Sequence, residues 1–335
     1  MPSIDFGPLL STKTRRPPMQ HETPVIAIEE HYWDPEMVSH FPTGENASPL
    51  ANLLTELGDV RLRAMDEAGI DLQVLSHGAP AAQKLSPEVA PELTRRVNDR
   101  LAEACARFPN RFAAFAALPT PTPEAAALEL ERCVRDLGFK GAMIHGLTNG
   151  LFIDDKRFWP IFEVAEKLDV PIYLHPSVPH AEVTRHYYDD YARELPTVIR
   201  PAWGFTVETA TMAIRLILSR ALESYPRLQI ILGHLGETLP FLLWRINQAL
   251  ARPGQTPLDF RKQFCEHFHV TTSGFFSTPA LICTMLELGI DRIMFAVDYP
   301  YVLNRDGTDW IEQLQIAPAD KRKLIGGNAS RLLKL

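Results

Sequence analysis

Residues 140–175 read KGAMIHGLTNGLFIDDKRFWPIFEVAEKLDVPIYLH. Lys140–His145 and Pro171–His175 are short apolar runs, each ending in a histidine. Between them, Asp155–Leu168 carries its apolar residues at helical spacing. A strand, a helix and a second strand in this order make a βαβ unit, whose two strands lie parallel.

The same alternation runs outward in both directions. Toward the N-terminus, VIAIE at 25–29, DLQVLS at 71–76 and FAAFAA at 112–117 read as strands one to three. Helices are expected over Arg61–Gly69, about 86–108 and from Pro123 to about Leu137. Toward the C-terminus, LQIIL at 228–232, HFHVTT at 267–272 and RIMFAV at 292–297 read as strands six to eight. Helical stretches follow at about 205–222, 237–250, 278–288, 308–316 and 319–333. Eight strands, each followed by a helix, specify an α/β fold, a (β/α)8 TIM barrel in one domain over residues 25–335. Residues 1–24 form an N-terminal extension. Residues 176–204, after strand five, carry tyrosines, charges and prolines without a period, and read as an insertion covering the barrel mouth or forming a subunit contact.

Composition narrows the function. The chain has 335 residues, 46% of them hydrophobic and 22% charged, a globular balance. Lys plus Arg number 34 against 41 Asp plus Glu, a net charge of −7, which argues against nucleic acid as a partner. Charges interrupt every apolar run well before the roughly 18 residues of a membrane span. Arg15 and Arg16 precede Pro17 and Pro18 with no apolar stretch behind them, so no secretory signal is expected. Four scattered cysteines without a CxxC pair suit a reduced, cytoplasmic protein.

In such a barrel the active site lies at the carboxyl ends of the strands. Glu29 and His31 end strand one and, being two apart, share a face. His175 ends strand five, His234 follows strand six, and Asp298 ends strand eight. Five groups able to ligate a metal or transfer a proton thus converge on one mouth, where imidazoles and carboxylates together suit a divalent ion such as Zn2+ or Mn2+. His267 and His269 also share a face, but at the start of strand seven, where a structural role is expected. His77 and His145 end strands two and four, as pocket-lining or rim residues. Trp33, Phe41, Tyr187, Tyr188, Trp203 and Tyr301 are candidate aromatic contacts from the loops, each equally an ordinary packing residue.

The motifs IAIEEH at 26–31, YLHP at 173–176, LGHLGETLPFLLWR at 232–245 and FAVDYPY at 295–301 resemble the amidohydrolase superfamily. More narrowly, they resemble its branch of metal-dependent non-oxidative decarboxylases, which act on γ-resorcylate, 2,3-dihydroxybenzoate, 5-carboxyvanillate and aminocarboxymuconate semialdehyde. The resemblance covers residue 25 to about 330. It implies Glu29, His31, His175 and Asp298 as ligands of one divalent ion, Zn2+ or Mn2+ rather than Mg2+. No lysine ends strand four, which implies a mononuclear site. It implies His234 and its partner carboxylate Glu237 in catalysis, with Asp298 as proton donor. Arg245, His145, Asn149 and Tyr301 are expected on the substrate, a small aromatic carboxylic acid of the 2-hydroxybenzoate type. Strand four departs from the resorcylate pattern, ending in His145 with Asn149 shortly after. Homodimers or homotetramers are usual in the family. Hydrolysis of a lactone or amide is the alternative chemistry on the same ligands, and a non-catalytic scaffold a more distant one.

Overall fold

A computed structural model of the chain describes residues 22–41, 48–252, 254 and 258–335. Most of the expected N-terminal extension lies outside the described residues. Eight parallel strands follow in order: β1 (Ile26–Tyr32), β2 (Leu72–His77), β3 (Phe112–Ala114), β4 (Ala142–His145), β5 (Ile172–His175), β6 (Ile230–Leu232), β7 (Phe268–Thr271) and β8 (Ile293–Met294). The principal helix after each is α1 (Asp59–Ala68), α2 (Ala90–Arg107), α3 (Pro123–Arg135), α4 (Trp159–Leu168), α5 (Gly204–Leu218), α6 (Leu239–Leu250), α7 (Thr278–Leu288) and α8 (Asn304–Gln313). The strands form a three-stranded sheet, β1 to β3, and a five-stranded sheet, β4 to β8. Backbone hydrogen bonds cross both seams. Met143 N donates to Ala116 O at 3.0 Å, and Asp298 N donates to Glu29 O at 3.0 Å. The expected (β/α)8 barrel is the fold.

Two apolar layers hold it. Inside the barrel, Ile26, Ile28, Val74, Phe115, Met143, Tyr173, Ile231 and Met294 pack together. Between strands and helices lies a larger layer that includes Ala27, Leu75, Ile144, Leu174, Val270 and Phe295. Strands covered on both faces explain why the sequence shows near-continuous apolar runs rather than alternation.

Several elements differ from the sequence reading. β8 ends at Met294, short of 297, because the next amides leave the ladder: Phe295 N donates to Leu324 O, Ala296 N to Thr272 Oγ1 and Val297 N to the side chain of Glu30. A helix, Phe260–His267, precedes β7, so His267 ends a helix rather than starting a strand. The insertion at 176–204 is largely helical, with turns at Ala181–Tyr187, Asp189–Ala192 and Pro196–Ile199.

His267 and His269 are structural. His267 Nδ1 donates to Leu228 O at 2.8 Å, and His269 Nε2 accepts from Arg292 at 2.9 Å. Burial, with the charges of Arg292 and Arg331, pushes the His269 pKa down to about 3. The unfolded chain then binds a proton that the folded chain refuses, so this contribution is complete above about pH 6.5 and is lost as pH falls toward 3. His269→Gln should therefore flatten the fall of stability in that window, by up to about 1.4 kcal/mol per pH unit. Denaturant melts of variant and wild type across the acid range check this; equal slopes would contradict the assignment.

Candidate metal centre

The site begins with an irregularity in β1. Ala27 pairs with Gln73 and Glu30 with Leu75, so three steps on β1 match two on β2. This is a β-bulge, and it inverts the inside–outside alternation beyond it. Ile26 and Ile28 point into the barrel before the bulge, and Glu29 and His31 point into it afterwards. Glu30 is left facing outward.

Glu29, His31, His175 and Asp298 each offer a ligand atom, and these atoms lie within 4.8 Å of one another. His31 Nε2 is 3.2 Å from Asp298 Oδ1, and His175 Nε2 is 3.2 Å from Glu29 Oε1. The carboxylate of Glu29 is fully buried and anchored on its far side. Its Oε2 accepts from Tyr173, Ser273 and Thr271, the last at 3.2 Å. Its Oε1 has no hydrogen-bond partner, and neither has His31 Nε2.

The ring partners indicate how the protons lie. His145 Nε2 donates to His77 O at 2.7 Å, leaving its Nδ1 to accept. His175 Nδ1 lies 2.9 Å from that atom and 2.7 Å from Pro176 O, so it carries the proton. His175 Nε2 is then a bare lone pair facing a carboxylate oxygen. Ser76 Oγ, 3.3 Å from His31 Nδ1, engages the outer nitrogen of that ring. Burial pushes the His31 pKa down and disfavours the doubly protonated ring. Lone pairs facing carboxylates repel unless a cation lies between them, and a donor set of two imidazoles and two carboxylates fits a divalent ion. Outer hydrogen bonds that fix each ring are the usual support of such a set.

His234 and Glu237 stand beside this cluster on an unusual backbone. Residues 234–238 all have positive φ: His234 49°, Leu235 53°, Gly236 80°, Glu237 54° and Thr238 66°. The chain makes a left-handed turn, costing roughly 1–2 kcal/mol for each residue with a Cβ. Gly236 is required there, since a Cβ would lie 3.0 Å from both Pro240 and Val270. The turn brings His234 Nδ1 to 2.8 Å from Glu237 Oε1 and its Nε2 to 4.0 Å from Glu29 Oε1. Burial works against a charge on His234. The Glu237 carboxylate, with Glu29 and Asp298, outweighs it and pushes the pKa up to about 10. Glu29 and His31 are closed off at 0% side-chain exposure, whereas Asp298 and His234 keep 18% and 22% and so present the accessible polar atoms.

Other expected site residues lie differently. His145 is buried with both ring nitrogens taken by protein groups, so it backs His175 and does not face a ligand. His77 is likewise occupied, donating to Gly78 O and accepting from Asp34 N. Asn149 sits on an exposed turn with its amide on Leu85 O. Arg245 is exposed on α6, whereas Glu237 is buried against His234. Tyr301 is at the mouth, its ring 5.8 Å from that of His31. Trp33 is buried beside Gly78 near the Tyr301 hydroxyl, whereas Tyr187 and Trp203 are exposed. The sequence reading missed Tyr173, Thr271, Ser273 and Ser76. Tyr173 is two residues from His175, Thr271 and Ser273 are two apart, and Ser76 pairs with His31 across β1 and β2.

A parallel barrel carrying two histidines and two carboxylates at the carboxyl ends of β1, β5 and β8 defines a metal-dependent barrel enzyme. The chain belongs to the amidohydrolase family, whose model, described as Amidohydrolase, matches residues 29–335. The γ-resorcylate decarboxylase of Rhizobium radiobacter is 43% identical over 325 residues, covering 92% of this chain and 98% of that protein. A crystal structure of 2,6-dihydroxybenzoate decarboxylase complexed with 2,6-dihydroxybenzoate is 42% identical, with a TM-score of 0.86 over 93% of this chain and 100% of that one. A dihydroxybenzoic acid decarboxylase from Polaromonas sp. JS666, solved with manganese and the inhibitor 2-nitroresorcinol, is 41% identical, with a TM-score of 0.86 over 93% and 97%.

If the cluster holds an ion, chelation should lower the melting temperature and restored Mn2+ or Zn2+ should raise it. Saturation at 100 times Kd is worth about 2.7 kcal/mol. His175→Ala should lose the ion on metal analysis, and a folded His175→Ala that retained full metal content would remove His175 from the ligand set.

Proposed function

We propose that the protein is a metal-dependent, non-oxidative carboxy-lyase that removes CO2 from a 2-hydroxybenzoate and releases a phenol. The carrying observation is the complete Glu29–His31–His175–Asp298 cluster in a chain 43% identical, across nearly its whole length, to a γ-resorcylate decarboxylase. The relatives' common activity favours this reading over hydrolysis of a lactone or amide. 2,6-Dihydroxybenzoate is the first substrate to test.

Glu29, His31, His175 and Asp298 would hold the ion, which supplies positive charge to bind the carboxylate and phenolic oxygens and to stabilise the phenolate. Two imidazoles disfavour Mg2+, which leaves Mn2+ or Zn2+, and manganese is bound in the Polaromonas relative. The hard step is protonation of the ring carbon that bears the carboxylate, because it breaks aromaticity. Asp298, accessible at the mouth, would deliver that proton. The electrons of the carbon–carbon bond then return to the ring as CO2 leaves, and aromaticity is restored. His234, held by Glu237, would donate a hydrogen bond to the phenolic oxygen, in keeping with its raised pKa. Tyr301 would pack against the substrate ring at the rim.

A homodimer or homotetramer suits the outer surface. Phe241 and Trp244 of α6 are 80% and 69% exposed, and Leu286 of α7 is 78% exposed. Four free cysteines suit a cytoplasmic setting.

Asp298→Asn should cut CO2 release from 2,6-dihydroxybenzoate by about 100- to 10,000-fold, the usual weight of a general acid. His234→Asn should act through kcat more than KM. Retained turnover in Asp298→Asn would refute its role as proton donor.

A further inference from the structure

Glu30 lies between two of the cluster residues, yet faces away from them and is fully buried. It touches the end of β8 instead. Its Oε1 accepts from Val297 N at 2.9 Å and its Oε2 from Tyr299 N at 3.1 Å. These are the two amides that flank Asp298. On either side of Glu30 the main chain completes the attachment: Asp298 N donates to Glu29 O at 3.0 Å, and His31 N donates to Tyr299 O at 2.7 Å. Three consecutive residues of β1 thus grip three consecutive residues beyond β8.

The grip is needed because Asp298 has φ +73°, a conformation that residues with a Cβ rarely adopt. At that φ the flanking amides leave the regular ladder and converge on one point. A single side chain must then offer two acceptor oxygens, which a carboxyl group has and a side-chain amide lacks. The Glu30 carboxylate is itself held. Gln73 Nε2 lies 3.4 Å from its Oε2, and Gln73 Oε1 accepts from the buried Arg61 at 3.2 Å. Arg61 also bonds His31 O at 2.5 Å and lies 4.8 Å over the Tyr299 ring.

We propose that Glu30 is a positioning residue for Asp298: its carboxylate replaces the missing strand partner and fixes the backbone from which Asp298 reaches the reacting carbon. This rests on the reading of Asp298 as proton donor. Glu30→Gln turns an NH2 group toward one of the two amides, and Glu30→Asp is one methylene too short to span both.

The test uses the metal-loaded full chain with 2,6-dihydroxybenzoate, alongside wild type and Asp298→Asn. Assayed with Mn2+ in excess, both Glu30 variants should keep a KM within about threefold, whereas kcat falls about 10- to 100-fold, as expected for a displaced catalytic group. Folded, metal-loaded Glu30→Gln with wild-type kcat overturns the proposal. Should the variants not fold, hydrogen exchange on the wild type decides it. The Val297 and Tyr299 amides should exchange as slowly as those of the barrel strands, and exchange at loop rates overturns the clamp. Wild-type protein that releases no CO2 from any 2-hydroxybenzoate defeats the functional reading instead, leaving the exchange measurement to judge the clamp alone.

Discussion

The extra residue in β1 is the constraint on which the site depends. Without the bulge between Ala27 and Glu30, a strict alternation from Ile26 and Ile28 would send Glu30 into the barrel and turn Glu29 and His31 toward the helices. A carboxylate and an imidazole would then lie in an apolar layer without partners, a costly burial. With the bulge, the strand supplies apolar residues to the barrel floor and ligand-type residues to its mouth. One inserted residue thus converts a structural strand into the wall of a site, which is how bulges next to active sites commonly act.

The two adjacent glutamates then meet opposite demands. Glu29 faces imidazoles and, on its far oxygen, three hydroxyls. Glu30 faces backbone amides and the Gln73–Arg61 pair. Each is a buried carboxyl group ringed by donors, one set open toward the cluster and the other closed around a piece of main chain, and at Glu30 burial outweighs the donors and pushes the pKa up to about 8.

Strain concentrates where accessible polar atoms are presented. Asp298 and residues 234–238 occupy the left-handed region, at roughly 1–3 kcal/mol for each residue with a Cβ. Surrounding packing holds these conformations: Glu30 at Asp298, and the close approach of Pro240 and Val270 at Gly236. The buried ligand-type residues Glu29, His31 and His175 have no left-handed φ and are supported by Ser76, Tyr173, Thr271 and His145. The division fits a site whose ion-facing side is rigid strand and whose substrate-facing side comes from turns shaped against the barrel.

The alternation of apolar runs and helical periods was enough to establish the barrel, because burial on both strand faces leaves a mark on every strand. The residue types at the strand ends were enough to name five candidates, Glu29, His31, His175, His234 and Asp298, since polar groups closing apolar runs stand out, and the family resemblance separated the four cluster residues from His234. The phase of β1 was decided by its pairing with β2, a long-range register that no local pattern carries. The left-handed turn at 234–238, the direction of His145 toward His175 and the exposure of Arg245 were decided by packing between elements distant in sequence. Local residue choice marks what must be buried or polar, but only the assembled barrel sets which way each side chain turns.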